Sequence, residues 1–137
     1  MQVQMMIGMM RRKTMIGTRR KTFSTSYNNQ VQFQEIITGH KCPKDDVTQF
    51  SYHIQAMVEE MGEVMKADKR WKTHRNGRYE IEEKLDEIAD VFITAMNIAI
   101  HSGFSDEDVE EAISRKISEN YARLISRDAV PACQEEE

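Results

Sequence analysis

Cysteine is scarce in this chain. Cys42 and Cys133 are the whole complement, they lie far apart, and they match no metal or redox spacing. They read as free thiols in a reducing compartment, which makes the cytoplasm the expected location. Long apolar runs are missing too. A membrane span needs roughly 18 to 20 such residues, and the longest run, Val91 to Ile100, is interrupted by Thr94 and Asn97. Nothing along the chain reads convincingly as a strand, so the chain reads as all-α. Glu-x-x-His, the motif that bundle di-iron sites use, does not occur, which argues against that chemistry.

Acids are absent from residues 1–34, which carry six bases: Arg11, Arg12, Lys13, Arg19, Arg20 and Lys21. The formal charge of -4 therefore hides a body, residues 35–137, with 13 bases against 23 acids. A field of that sign attracts cations and repels nucleic acid, so stable nucleic-acid binding is not expected. With 137 residues the chain has room for one domain and short tails. Residues 1–28 form a basic, Met-rich leader with a near-duplication, Met6–Thr14 followed by Met15–Thr22, too short to be a solenoid repeat. It lacks a secretory h-region and cleavage site. Disorder is the first reading of this leader, and organelle targeting by residues 1–25 the second. Residues 29–127 form the domain and 128–137 an acidic tail.

Four helices are expected within the domain. The first runs from about Asn29 to Thr38 and stops at Gly39. After a loop around Pro43, the second runs from about Asp46 to His74, with Phe50, Ile54, Met57, Met61 and Val64 in one apolar stripe. Asn76 and Gly77 mark a turn. The third, from about Glu80 to His101, is apolar almost all round, which predicts burial on most sides. Ser105 opens the fourth as a side-chain cap, with Asp106 to Asp108 where the helix dipole favours acids. A bundle is the default architecture for such a set.

Two acid pairs stand out, Glu60 with Glu63 and Glu87 with Asp90. Three-residue spacing puts each pair on one helix face. Glu60 falls beside Met57 and Val64 at the core's edge, and Glu87, Asp90, Thr94 and Asn97 fall within about 80° as a narrow polar stripe on the third helix. A short connection makes the second and third helices antiparallel neighbours, so the two pairs can face each other. Four carboxylates beside a core repel one another unless a cation lies between them, and magnesium accepts such oxygen ligands. On the fourth helix Lys116, Asn120, Arg123 and Arg127 share a face, suited either to phosphates or to balancing the helix C-terminus.

The run Glu59-Glu60-Met61-Gly62-Glu63, then 23 residues, then Glu87-Ile88-Ala89-Asp90, resembles the EExxE, spacer, ExxD signature of the MazG-like all-α nucleoside triphosphate pyrophosphohydrolases. Dimeric dUTPases and phosphoribosyl-ATP pyrophosphohydrolase are relatives of that family. The likeness covers about residues 30 to 127 and includes Lys116, Asn120 and Arg123, which look like its Lys-x-x-x-Asn-x-x-Arg segment. It implies a four-helix bundle completed by assembly into a homodimer or homotetramer. It also implies a magnesium-dependent cut between the α and β phosphates of a nucleoside triphosphate, with manganese as the alternative ion. By position, Glu60, Glu63, Glu87 and Asp90 would be metal ligands, while Glu59 and Glu63 would take catalytic roles, Glu59 on the attacking water.

Beyond these residues the alternatives stay open. Trp71 could stack a base or close a core. Asn97, in a buried stripe, should bond either a substrate or another helix. His53, His74 and His101 have no ligand spacing and read as structural, and the basic residues Lys66 to Arg78 read mostly as solvated surface. Two rival functions remain: a non-catalytic helical oligomer that binds nucleotide or a protein partner, and a hydrolase of the phosphoribosyl-ATP type.

Overall fold

The computed structural model describes residues 22–74, 77 and 79–128. They form four α-helices: α1 (Phe23–Thr38), α2 (Val47–Ala67), α3 (Ile81–Ile100) and α4 (Asp106–Asp128), with a single 3-10 turn at Lys69–Trp71. The only β-type pairing among them is an isolated bridge between Asp45 and Ser102. The described part is thus all-α, and none of its helices is long and apolar enough to cross a membrane.

Each start and stop has a local cause. Thr22 caps α1 by accepting from the Thr25 backbone N–H, so the helix begins six residues before the expected Asn29 and takes in the end of the segment assigned to the leader. The rest of that leader, the turn residue Asn76 and the tail beyond Arg127 and Asp128 lie outside the described residues. Gly39, at φ 73°, closes α1 in the left-handed conformation while its N–H reaches the Glu35 carbonyl. Asp46 caps α2 through Gln49 N, and Ser105 caps α4 through Asp108 N, with Asp108 returning a bond to the Ser105 N–H. The second helix ends at Ala67 rather than near His74. Asp68 stops it, accepting from the Arg70 N–H to start the 3-10 turn and pairing with Arg70 and Lys84.

α2 and α3 form an antiparallel pair, fastened by Lys84 on Asp68 at 2.7 Å at one end and by stacked His53 and His101 rings, 5.2 Å apart, at the other. α1 packs against α3, and the start of α4 packs against α1. Where α1, the end of α3 and the start of α4 meet, Tyr27, Val31 and Ile100 are withdrawn from solvent, with Phe23, Met96, Ala99 and Val109 against them. The Tyr27 hydroxyl donates to the Phe104 carbonyl at 2.7 Å. Burial, then Asp106 and Asp108, push its pKa up to about 12, which keeps it a donor. Asp106 accepts from Ser24 and from Asn28, tying α4 to α1.

The third helix departs from the buried rod that its composition predicts. Its buried side chains are Thr94, Asn97 and Ile100, whereas Leu85 and Phe92 are 61% and 68% exposed. Thr94 and Asn97 of its polar stripe turn inward, whereas Leu85 and Phe92 of its apolar surface face out. The hydrophobicity is there, but the surface that would cover it is not supplied by the described part of the same chain.

Candidate metal centre

Register decides which acids meet. Glu60 stands seven residues before the end of α2, while Glu87 and Asp90 stand six and nine residues after the start of α3. In an antiparallel pair Glu60 is therefore level with the gap between Glu87 and Asp90. One carboxylate oxygen from each of the three lies within 4.8 Å of the others, with Glu60 and Glu87 half-buried and Asp90 exposed. Among the described residues none of the three is in an ion pair. Glu60 registers the crowding: partial burial, then Asp90, Glu59, Glu87 and Glu63, push its carboxyl above the ordinary value.

Glu63, the fourth expected ligand, falls outside this cluster. It lies four residues from the end of α2, about one turn nearer the connection, and its carboxylate accepts from Lys66 at 2.6 Å. The helix in fact stops at Ala67, and Lys69–Trp71 adds an irregular stretch that shifts the register. Glu59 is exposed on α2, near enough to raise the Glu60 pKa.

The donor set fits a hard divalent ion. Three carboxylates on two rigid helices offer oxygen ligands, have no other cation on them among the described residues, and leave an open side where Asp90 meets solvent.

The remaining expected site residues are spread out. The Asn97 side-chain oxygen accepts from Gln30 at 2.8 Å inside the fold, which spends that group on helix packing rather than on a ligand. It lies seven residues beyond Asp90, about 10 Å along α3. Trp71 is 56% exposed and donates its indole N–H to the Met65 carbonyl. With Val64, Met65, Asp68, Arg70 and Lys84 it lines a hollow of about 460 Å³, one turn beyond Glu63 toward the connection. Lys116, Asn120 and Arg123 are exposed in the distal half of α4, with Lys116 on Glu119 at 2.9 Å and Arg123 near it at 3.8 Å. The principal packing of α4 is on α1, and the structure does not bring these three residues to the acids within one chain.

Two contacts escaped the sequence reading. Lys66, expected at a solvated surface, pairs with Glu63, and the three-residue spacing between them is the signal for that pair. The Gln34 side-chain oxygen, on α1, accepts from His101 Nε2 at 2.8 Å in the buried interior, and no local pattern marks that partnership. Set against known proteins, the chain matches no family model. No curated protein matches it, and no solved structure does either.

Proposed function

We propose that the chain is a divalent-metal-dependent nucleoside triphosphate pyrophosphohydrolase, releasing a nucleoside monophosphate and pyrophosphate. The observation that carries this reading is the convergence of Glu60, Glu87 and Asp90 from facing helices, with oxygens within 4.8 Å and no cation among the described residues to neutralise them. These three would hold magnesium, or manganese in its place, and Glu63 would join them by leaving Lys66. The ion supplies charge neutralisation for the phosphates and a lowered pKa for attacking water.

The protein's own groups divide the remaining work. Glu59, close enough to raise the Glu60 pKa, would orient or deprotonate the incoming water, and partial burial keeps the cluster's field from being fully screened. Lys66, once free of Glu63, is a cation for a phosphate oxygen at the same level of the α2–α3 pair. The hollow beside Trp71 offers an aromatic wall to a base. Asn97 is left out of the substrate set, and the α4 cations Lys116 and Arg123, with Asn120, have no contact in the single chain that supports one. The exposed apolar stripes of α2, α3 and α4 favour assembly of the chain as a homo-oligomer, a dimer or tetramer.

Purified protein incubated with magnesium and a panel of canonical and modified triphosphates should release pyrophosphate from at least one of them. Glu60→Gln and Asp90→Asn should each cut turnover by more than the roughly 10–100-fold typical of losing an outer-shell partner. Full activity in either variant would refute the site. A non-catalytic nucleotide binder would instead show magnesium-independent binding with no product.

A further inference from the structure

We infer that the groove between α1 and α3 is the seat for the Ile113–Leu124 stretch of α4 from a second copy of the chain. This interface rests on the self-assembly just proposed and is independent of the hydrolase reading. The groove encloses about 770 Å³, with a floor and walls that include Phe33 on α1 and Leu85, Ile88, Phe92, Ile93 and Met96 on α3. Its α3 wall lies on the side of that helix away from Glu87 and Asp90, so an occupant leaves the acid cluster open.

Three features of the molecule select the occupant. First, α4 has an apolar stripe that no described residue covers: Ile113, Ile117, Tyr121 and Leu124 fall within about 80° of one another and are all exposed, Ile117 by 52% and Leu124 by 56%. Its own chain holds α4 elsewhere, by Asp106 on Ser24 and Asn28 and by Val109 against the core, on a different side of α1 from the groove. Second, the lengths agree. Ile113 to Leu124 spans about 16 Å and Leu85 to Met96 the same, at 1.5 Å per residue.

Third, the charges are complementary. Lys116, Arg123 and Arg127 run along one edge of the α4 stripe, and Arg115 adds a fourth cation against the lone Glu119 between Ala112 and Arg127. α3 carries Glu82, Glu83, Asp86, Glu87 and Asp90 against Lys84. Glu82 and Asp86 are exposed on the Ala89 side of the groove-lining stripe, where an occupant's cationic edge would meet them. A foreign helix would need the same stripe and the same edge, and this chain already displays both.

Two chains test the seat directly, each in a Cys42→Ala, Cys133→Ser background that must keep wild-type helical circular dichroism and assembly size. One carries Phe92→Cys and the other Ile117→Cys, and the two are co-expressed, purified and mildly oxidised. The expected result is a covalent species of twice the chain mass that contains one of each chain, with neither variant forming it when expressed alone. A wild-type chain that sediments as a monomer overturns the seat together with self-assembly. A wild-type oligomer in which the mixed pair fails to cross-link, or in which Phe92→Cys cross-links to itself, overturns the seat alone. Pyrophosphate release, measured separately, bears on neither outcome.

Discussion

Glu60 is the residue at which the acid cluster is most strained electrostatically, because it faces Glu87 and Asp90 across the helix pair and Glu59 and Glu63 on its own helix. A carboxyl whose folded pKa is raised above its ordinary value contributes stability below that value and loses it as pH rises through the folded pKa. Without metal, the cluster should therefore weaken the fold at neutral pH. Two melts check this: Glu60→Gln should raise the metal-free Tm at pH 7, and magnesium should raise the wild-type Tm while leaving that of Glu60→Gln nearly unmoved. A wild-type Tm indifferent to magnesium would mean that the carboxylates are a solvated face. The acid pairs themselves were legible because three-residue spacing is a property of the helix alone. That Glu63 stands one turn aside was not, since it depends on where Asp68 ends α2.

At the scale of elements, the fold is fastened by groups that the sequence left as ordinary. His53 on α2 and His101 at the end of α3 stack in parallel at 5.2 Å, and Gln34 on α1 bonds His101 at 2.8 Å. His101 Nδ1 has no hydrogen-bond partner among the described residues, and burial lowers the pKa of both rings, with Asp46 opposing and His40 adding to the effect on His101. A histidine held neutral in the fold binds a proton more readily when unfolded. Its contribution is intact above the ordinary pKa of 6.5 and is lost as pH falls below it. The Tm should accordingly drop as pH falls below about 6.5, and His53→Phe, which keeps an aromatic partner for the stack, should flatten that drop. Gln34→Ala should cost about 1–3 kcal/mol in a urea melt, because it strips the remaining partner from a fully buried imidazole.

Helix number, order and polarity were all readable from periodicity and caps: Gly39, Asp46 and Ser105 act where their chemistry places them. What periodicity does not encode is which side of an amphipathic helix its own chain will cover. For α3 the answer is the polar side. Thr94 and Asn97 turn inward, where Gln30 satisfies Asn97, while Phe92 remains outside.

That inversion matters most for the molecule as a whole. Among the described residues the apolar side chains fully withdrawn from solvent are few, while Phe33, Val58, Leu85, Phe92, Ile117 and Leu124 stand exposed. Apolar surface on this scale marks an interface more often than a free surface. Ile117→Asp, on the exposed α4 stripe, should sediment as a smaller species than the wild-type chain and melt several degrees lower. An unchanged sedimentation profile would place the assembly contacts elsewhere.

The chemistry is tested most directly by supplying a panel of triphosphates with magnesium and identifying any products by phosphorus NMR. The account predicts monophosphate and pyrophosphate in equal amounts, abolished by chelation and by Asp90→Asn. Diphosphate with inorganic phosphate, or no turnover of any triphosphate at all, would contradict it.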